Sequence, residues 1–111
     1  MAFNSALEVS GKIGKITLTG ELDASAAPTF RVDIEAAAGA GVKKLVLMMA
    51  GLNYMASAGL RALVYAKQKM GADTDIYIVA AQDSIRETLE LTGFQTSVVV
   101  LDTYDAAAIG G

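Results

Sequence analysis

The chain has 111 residues, 53% of them apolar and 19% charged, with a net charge of −3 at pH 7. That length suffices for one domain with a real core, and so apolar a composition excludes a disordered chain. Acidic and basic residues are interspersed, so the chain has no concentrated basic patch of the kind that nucleic-acid binders set against phosphate.

There is no cysteine and no histidine. Disulfides, thiol catalysis and thiolate metal sites are thereby excluded, together with the usual general base near neutral pH. The opening "MAFNSALEVSGKIGKI" lacks a basic region followed by a long apolar run, so no signal peptide is expected. No apolar run reaches the ~18 residues of a membrane span. The expectation is a soluble cytoplasmic protein, a single domain over 1–111, with no metal, no nucleic acid and no membrane as partner. Oligomeric state is left open.

In chain order, "ALEVSGKIGKITLTG" reads as two short strands around a turn at Gly11-Lys12, the second ending at Gly20. Ile16 and Leu18 alternate with Lys15, Thr17 and Thr19, the period of a half-buried strand. In "ELDASAAPTFRVDIEAAAGAG", Pro28 suits a first helical turn. Phe30, Ile34, Ala37 and Ala38 follow at helical spacing, and Gly39 and Gly41 supply the stop. Lys43–Met49 is short and apolar after its two lysines, as in a central strand covered on both faces, and "AGLNYMA" reads as a loop.

The next helix places Leu60, Leu63 and Val64 on one face and closes at Gly71. Asp75–Ala80 is a further buried strand. "SIRETLELTG" carries a capping box, Ser84 with Glu87, and ends at Gly93. Ser97–Leu101 is a last strand, and "TYDAAAI" a short terminal helix. Strands alternating with helices require an α/β fold with a mostly parallel mixed sheet, an N-terminal antiparallel hairpin at its edge and about four helices.

Few residues suggest catalysis. "GKIGK" fails the spacing of a phosphate loop and reads as a hairpin turn. Glu21 and Asp23, two apart, could act as acid and base or hold a cation; solvated acids in a strand-to-helix loop are the simpler reading, since nothing nearby completes a catalytic set. Asp73 and Asp75 are turn acids. Ser57 has no histidine to activate it. A non-enzymatic protein is expected. Ser57 itself, in "NYMASAGLRAL", opens a helix and can cap it. Free N–H groups and the helix dipole also make that position hospitable to an anion, including a phosphate on the hydroxyl.

Three segments carry a family resemblance. "LVLMMAGLNYMASAGLRAL" (Leu45–Leu63) resembles the strand, loop and "D-S-[SA]-G-L" helix start of STAS domains, specifically the bacterial anti-sigma factor antagonists. "GELDASAAPTF" and "LELTGF" resemble two further segments of that family, so the resemblance covers nearly the whole chain. It implies the STAS fold and a partner-switching regulator that binds an anti-sigma factor with serine-kinase activity. The partner would supply ATP; the chain itself would need no cofactor.

By position, the resemblance makes Ser57 the phosphoacceptor, Gly59 the glycine that permits close approach, and Asp23 an acid beside the serine. Ser25, Tyr54, Met55, Ala58 and Arg61 join the partner surface by adjacency. The chain departs from the family pattern at Met48 and Ala56, where aspartates are usual, and at Ala50, where serine is usual. Those departures motivate a second reading: a STAS interaction or small-molecule-sensing module with no phosphorylation cycle.

Overall fold

The computed structural model describes residues 3–104. Its elements are β1 (Asn4–Ser10), β2 (Ile13–Leu22), α1 (Ala27–Gly39), β3 (Lys44–Met55), α2 (Ser57–Met70), β4 (Asp75–Val79), α3 (Asp83–Thr92), a single 3-10 turn at Phe94–Thr96, and β5 (Val99–Leu101). The expected α/β class holds, with three α-helices among the described residues. The fourth, expected over Thr103–Ile109, falls almost wholly outside them.

The first two strands form a hairpin because Gly11 accepts φ +60 and leaves only Gly11 and Lys12 between the paired Ser10 and Ile13. The sheet then advances in one direction, in the order β1-β2-β3-β4-β5, with every pair after the hairpin parallel. Right-handed crossovers that always step the same way bring all three helices to one face. The main core shows this. Phe30, Ile34 and Ala37 of α1, Leu63 and Ala66 of α2, and Ile85 and Leu89 of α3 pack on Ile16, Leu47 and Ile78 of the strands.

Alternation sends Leu45, Leu47 and Met49 to the helical face and Val46 and Met48 to the reverse. On that reverse face Val46, Tyr77 and Val79 form a smaller cluster bordered by Ile13, Met48 and Leu101. Both sides of β3 are thus apolar, which is why its sequence shows no polar period.

Several boundaries differ from expectation. Strand β2 runs past Gly20 to Leu22, and β3 continues through the segment expected as a loop to Met55. Beyond Met48, β3 pairs only with β2, and the register slips where Thr17 and Thr19 face Met48 and Gly51, and again where Gly20 and Glu21 face Leu52 and Tyr54. Each slip is one extra residue in β3, a bulge that bends the strand. Glu21 therefore lies in a strand opposite Tyr54, outside the loop expected for it.

The glycine stops hold: Gly71 and Gly93 have φ +79 and +76. Neither serine cap forms. The N-cap residues of α2 and α3 are Ala56 and Gln82, without a side-chain cap bond, so Ser57 and Ser84 both stand inside their helices. Val64, expected on the buried face of α2, is exposed, while Leu63 is buried and Leu60 partly so.

Candidate functional site at the carboxyl ends of the strands

In an open parallel sheet the chain leaves each strand's carboxyl end into a loop and a helix N-terminus, and binding residues collect there. In this chain β2 ends at Leu22, β3 at Met55 and β4 at Val79. The Ala56 N–H donates to the Leu22 carbonyl at 2.9 Å, tying the exit of β2 to the entrance of α2. Asp23 and Ser57 therefore follow directly on the two sides of one backbone bond.

Asp23 organises the turn into α1. Its Oδ1 accepts from Ser25 Oγ at 2.8 Å and from the Ala26 N–H at 3.0 Å, and its carbonyl accepts the Ala27 N–H at 3.0 Å. The Ser25 hydroxyl first, and the Ala26 amide second, hold the Asp23 carboxyl below its ordinary value of 3.8. Its charge is fixed at neutral pH.

Ser57, the first residue of α2, is exposed, with half-buried alanines on either side. Nothing bulky shields its hydroxyl. Gly59, in the same turn, faces inward: a Cβ there would lie 2.7 Å from Met55 Cγ and 2.8 Å from Leu22 Cγ. Met55 is itself buried. Of the residues expected at a partner surface, Asp23, Ser25, Ser57, Ala58 and Arg61 lie around the starts of α1 and α2 with some surface exposed, while Tyr54, beside the inward-facing Met55, turns to the reverse face of the sheet. Met55 and Gly59 lie beneath, and shape that surface from inside. Tyr54 is 52% exposed on the bulged end of β3.

Met48 stands apart from this group, half-buried against the reverse-face cluster. Of the two positions where the family's aspartates are replaced, only Ala56 is at the site.

Two contributors carried no sequence signal strong enough to find them. Gln82, the N-cap residue of α3, donates Nε2 to the Ala50 carbonyl at 3.3 Å and to Asn53 Oδ1 at 3.2 Å, bracing the bulged part of β3. Its place after the carboxyl end of β4 is the clue topology would have offered. Arg31 is the other. With Ala24, Ala27, Pro28, Ala58 and Arg61 it lines a cleft of about 300 Å³ between the starts of α1 and α2. That pairing joins two helices and leaves no trace in local spacing.

Comparison with known proteins agrees with the fold. BtrV of Bordetella bronchiseptica, named as an anti-sigma factor antagonist, is 29% identical over 92 residues, covering 82% of this chain and 79% of its own. The crystal structure of an anti-sigma factor antagonist from Mycobacterium paratuberculosis superposes with a TM-score of 0.89 at 23% identity, covering 99% of this chain and 96% of that one. The antagonist SpoIIAA has been solved in two states. Its unphosphorylated form gives a TM-score of 0.76 at 22% identity (98% and 96% covered), and its phosphorylated form, from Bacillus, 0.73 at 21% (98% and 97% covered). At those identities the structures speak for the fold alone. The STAS domain family matches residues 4–107, nearly the whole sequence, and the chain belongs to that family.

Proposed function

We propose that this protein is an anti-sigma factor antagonist: a non-enzymatic regulator that binds an anti-sigma factor with serine-kinase activity and is released when Ser57 is phosphorylated. The observation that carries the reading is the presentation of Ser57. The serine is exposed between two alanines, on the first turn of a helix fastened beside Asp23. The name of BtrV, and the existence of SpoIIAA in phosphorylated and unphosphorylated forms, support the same reading.

The chemistry is a phosphoryl transfer. Ser57 Oγ forms a bond to the γ-phosphorus of ATP, the bridging bond to ADP breaks, and the hydroxyl proton passes to a base of the partner. The product carries about −1.5 to −2 charges where a neutral hydroxyl had been. Within a docked interface that dianion lies close to the Asp23 carboxylate and must shed water to be buried, and both effects oppose binding. No change of fold is required.

Incubation with the anti-sigma factor kinase and ATP, followed by mass spectrometry, tests the transfer. Phosphate on Ser57 is expected in the wild type and none on Ser57→Ala; unmodified wild type, or equal modification of the variant, contradicts the reading.

Ala56 gives the second reading its one local observation, because the first turn of α2 lacks a side-chain cap where the family has aspartate. Were the chain a scaffold or sensor with no phosphorylation cycle, Ser57→Asp would leave partner affinity unchanged. A large loss of affinity excludes it.

A further inference from the structure

Along one side of α2, Ser57, Arg61 and Tyr65 follow one another a turn apart, so neighbours in this row are within side-chain reach. Tyr65 is fixed from the other helix: its hydroxyl donates to Glu35 Oε2 at 2.6 Å, and the Arg31 guanidinium lies 5.1 Å from its ring centroid. Arg31 is thereby held on the α1 wall of the cleft whose α2 wall carries Ala58 and Arg61. Two guanidinium groups thus line one depression beside the phosphoacceptor serine. Arg61 makes no ion pair or hydrogen bond among the described residues.

From this geometry we infer that the cleft between α1 and α2 receives the phosphate of Ser57 within the same chain, with Arg61 as its principal ligand and Arg31 closing from the opposite wall. The inference rests on Ser57 being the modified residue. A phosphomonoester offers several strong acceptor oxygens, and a guanidinium meets two of them in one plane. With alanine at the N-cap, no side chain competes for the first-turn amides, which add their partial positive charge.

The charged groups around that phosphate are Asp23, directly after β2, Arg31 from α1 and Arg61 from α2; Glu21 alternates to the reverse face of the sheet, away from both helices. Asp23 raises the second pKa of the phosphate; the two arginines lower it. Phosphorylation then acts twice. It adds negative charge to the docking surface, and it draws Arg61 into an internal pair, away from any acidic group of the partner.

The test uses the full chain with phosphoserine installed at 57 during synthesis, so no kinase is involved, and follows the phosphate by ³¹P NMR against pH. Its second pKa is expected below the ordinary value of about 6. Arg61→Gln should raise it by about 0.5 unit or more, Arg31→Gln by less, and Arg61→Lys should retain part of the effect because charge remains when the planar fork is lost. A pKa that is the same in the wild type, Arg61→Gln and Arg31→Gln overturns the inference. A kinase that leaves Ser57 unmodified counts against the functional reading alone, since the titration decides the clamp independently.

Discussion

At the scale of single residues, Gly59 and Asp23 explain why the site holds its shape. Gly59 lets α2 start against the ends of β2 and β3, and the atoms a methyl group would meet, Met55 Cγ and Leu22 Cγ, are not free chain ends that swing aside. For Gly59→Ala, overpacking of about 1–3 kcal/mol should exceed the helix-propensity gain of up to 1 kcal/mol, for a net loss of about 1–2 kcal/mol. Urea denaturation measures it; an unchanged or higher midpoint would mean that the helix entrance yields easily.

Asp23 makes a prediction of sign. Its folded pKa is depressed, so its contribution to stability is complete above the unfolded value of 3.8 and is lost as pH falls through the lower, folded value. Ser25→Ala removes the largest cause of the depression. NMR titration of the Asp23 carboxyl in that variant should show its pKa moving up towards 3.8; a pKa that stays put would assign the depression to the Ala26 amide instead.

At the scale of elements, α2 starts without a cap. Ala56 has the extended backbone of an N-cap residue, φ −79 and ψ 172, and no side-chain oxygen to offer. The aspartate usual before the serine in this family therefore falls on the N-cap itself, and Ala56→Asp should stabilise the protein by about 1 kcal/mol. Thermal unfolding of the variant measures this, and a midpoint no higher than wild type would contradict it. The same substitution places an acceptor in competition with a phosphate on Ser57 for the first-turn amides.

Elements were legible in the sequence wherever a residue acts alone. Glycines with no alternative conformation mark the turn at Gly11 and the helix ends at Gly71 and Gly93, and Pro28 marks the start of α1. What local spacing did not show is what a second segment decides. Gly51 and Asn53 look like loop residues, yet β2 supplies the hydrogen-bonding partners that carry β3 on to Met55 through two bulges. The Ser57 cap failed for a related reason: the backbone bond from Ala56 to Leu22 accompanies an N-cap at Ala56, one residue before the serine that propensity alone would choose. Of the site, Ser57 and Asp23 could be found by resemblance, whereas Arg31 and Gln82 required the helices and strands to be placed.

At the scale of the whole molecule, one core carries all three helices, and the site stands on its upper rim. Phe30 is fully buried where α1 meets the sheet. Phe30→Ala should cost about 3–5 kcal/mol through lost burial and the cavity it leaves. Chemical denaturation measures the loss, and a cost below about 1 kcal/mol would show that α1 collapses onto the gap. In the proposed function this core is the frame, and a phosphate on Ser57 would change the charge presented at its rim.

The most direct measurement is the affinity of the anti-sigma factor for this protein with serine and with phosphoserine at position 57, by calorimetry at one ionic strength. Phosphorylation is expected to weaken binding at least tenfold, which corresponds to about 1.4 kcal/mol or more. Equal affinity of the two forms would contradict the proposal that Ser57 is the switch.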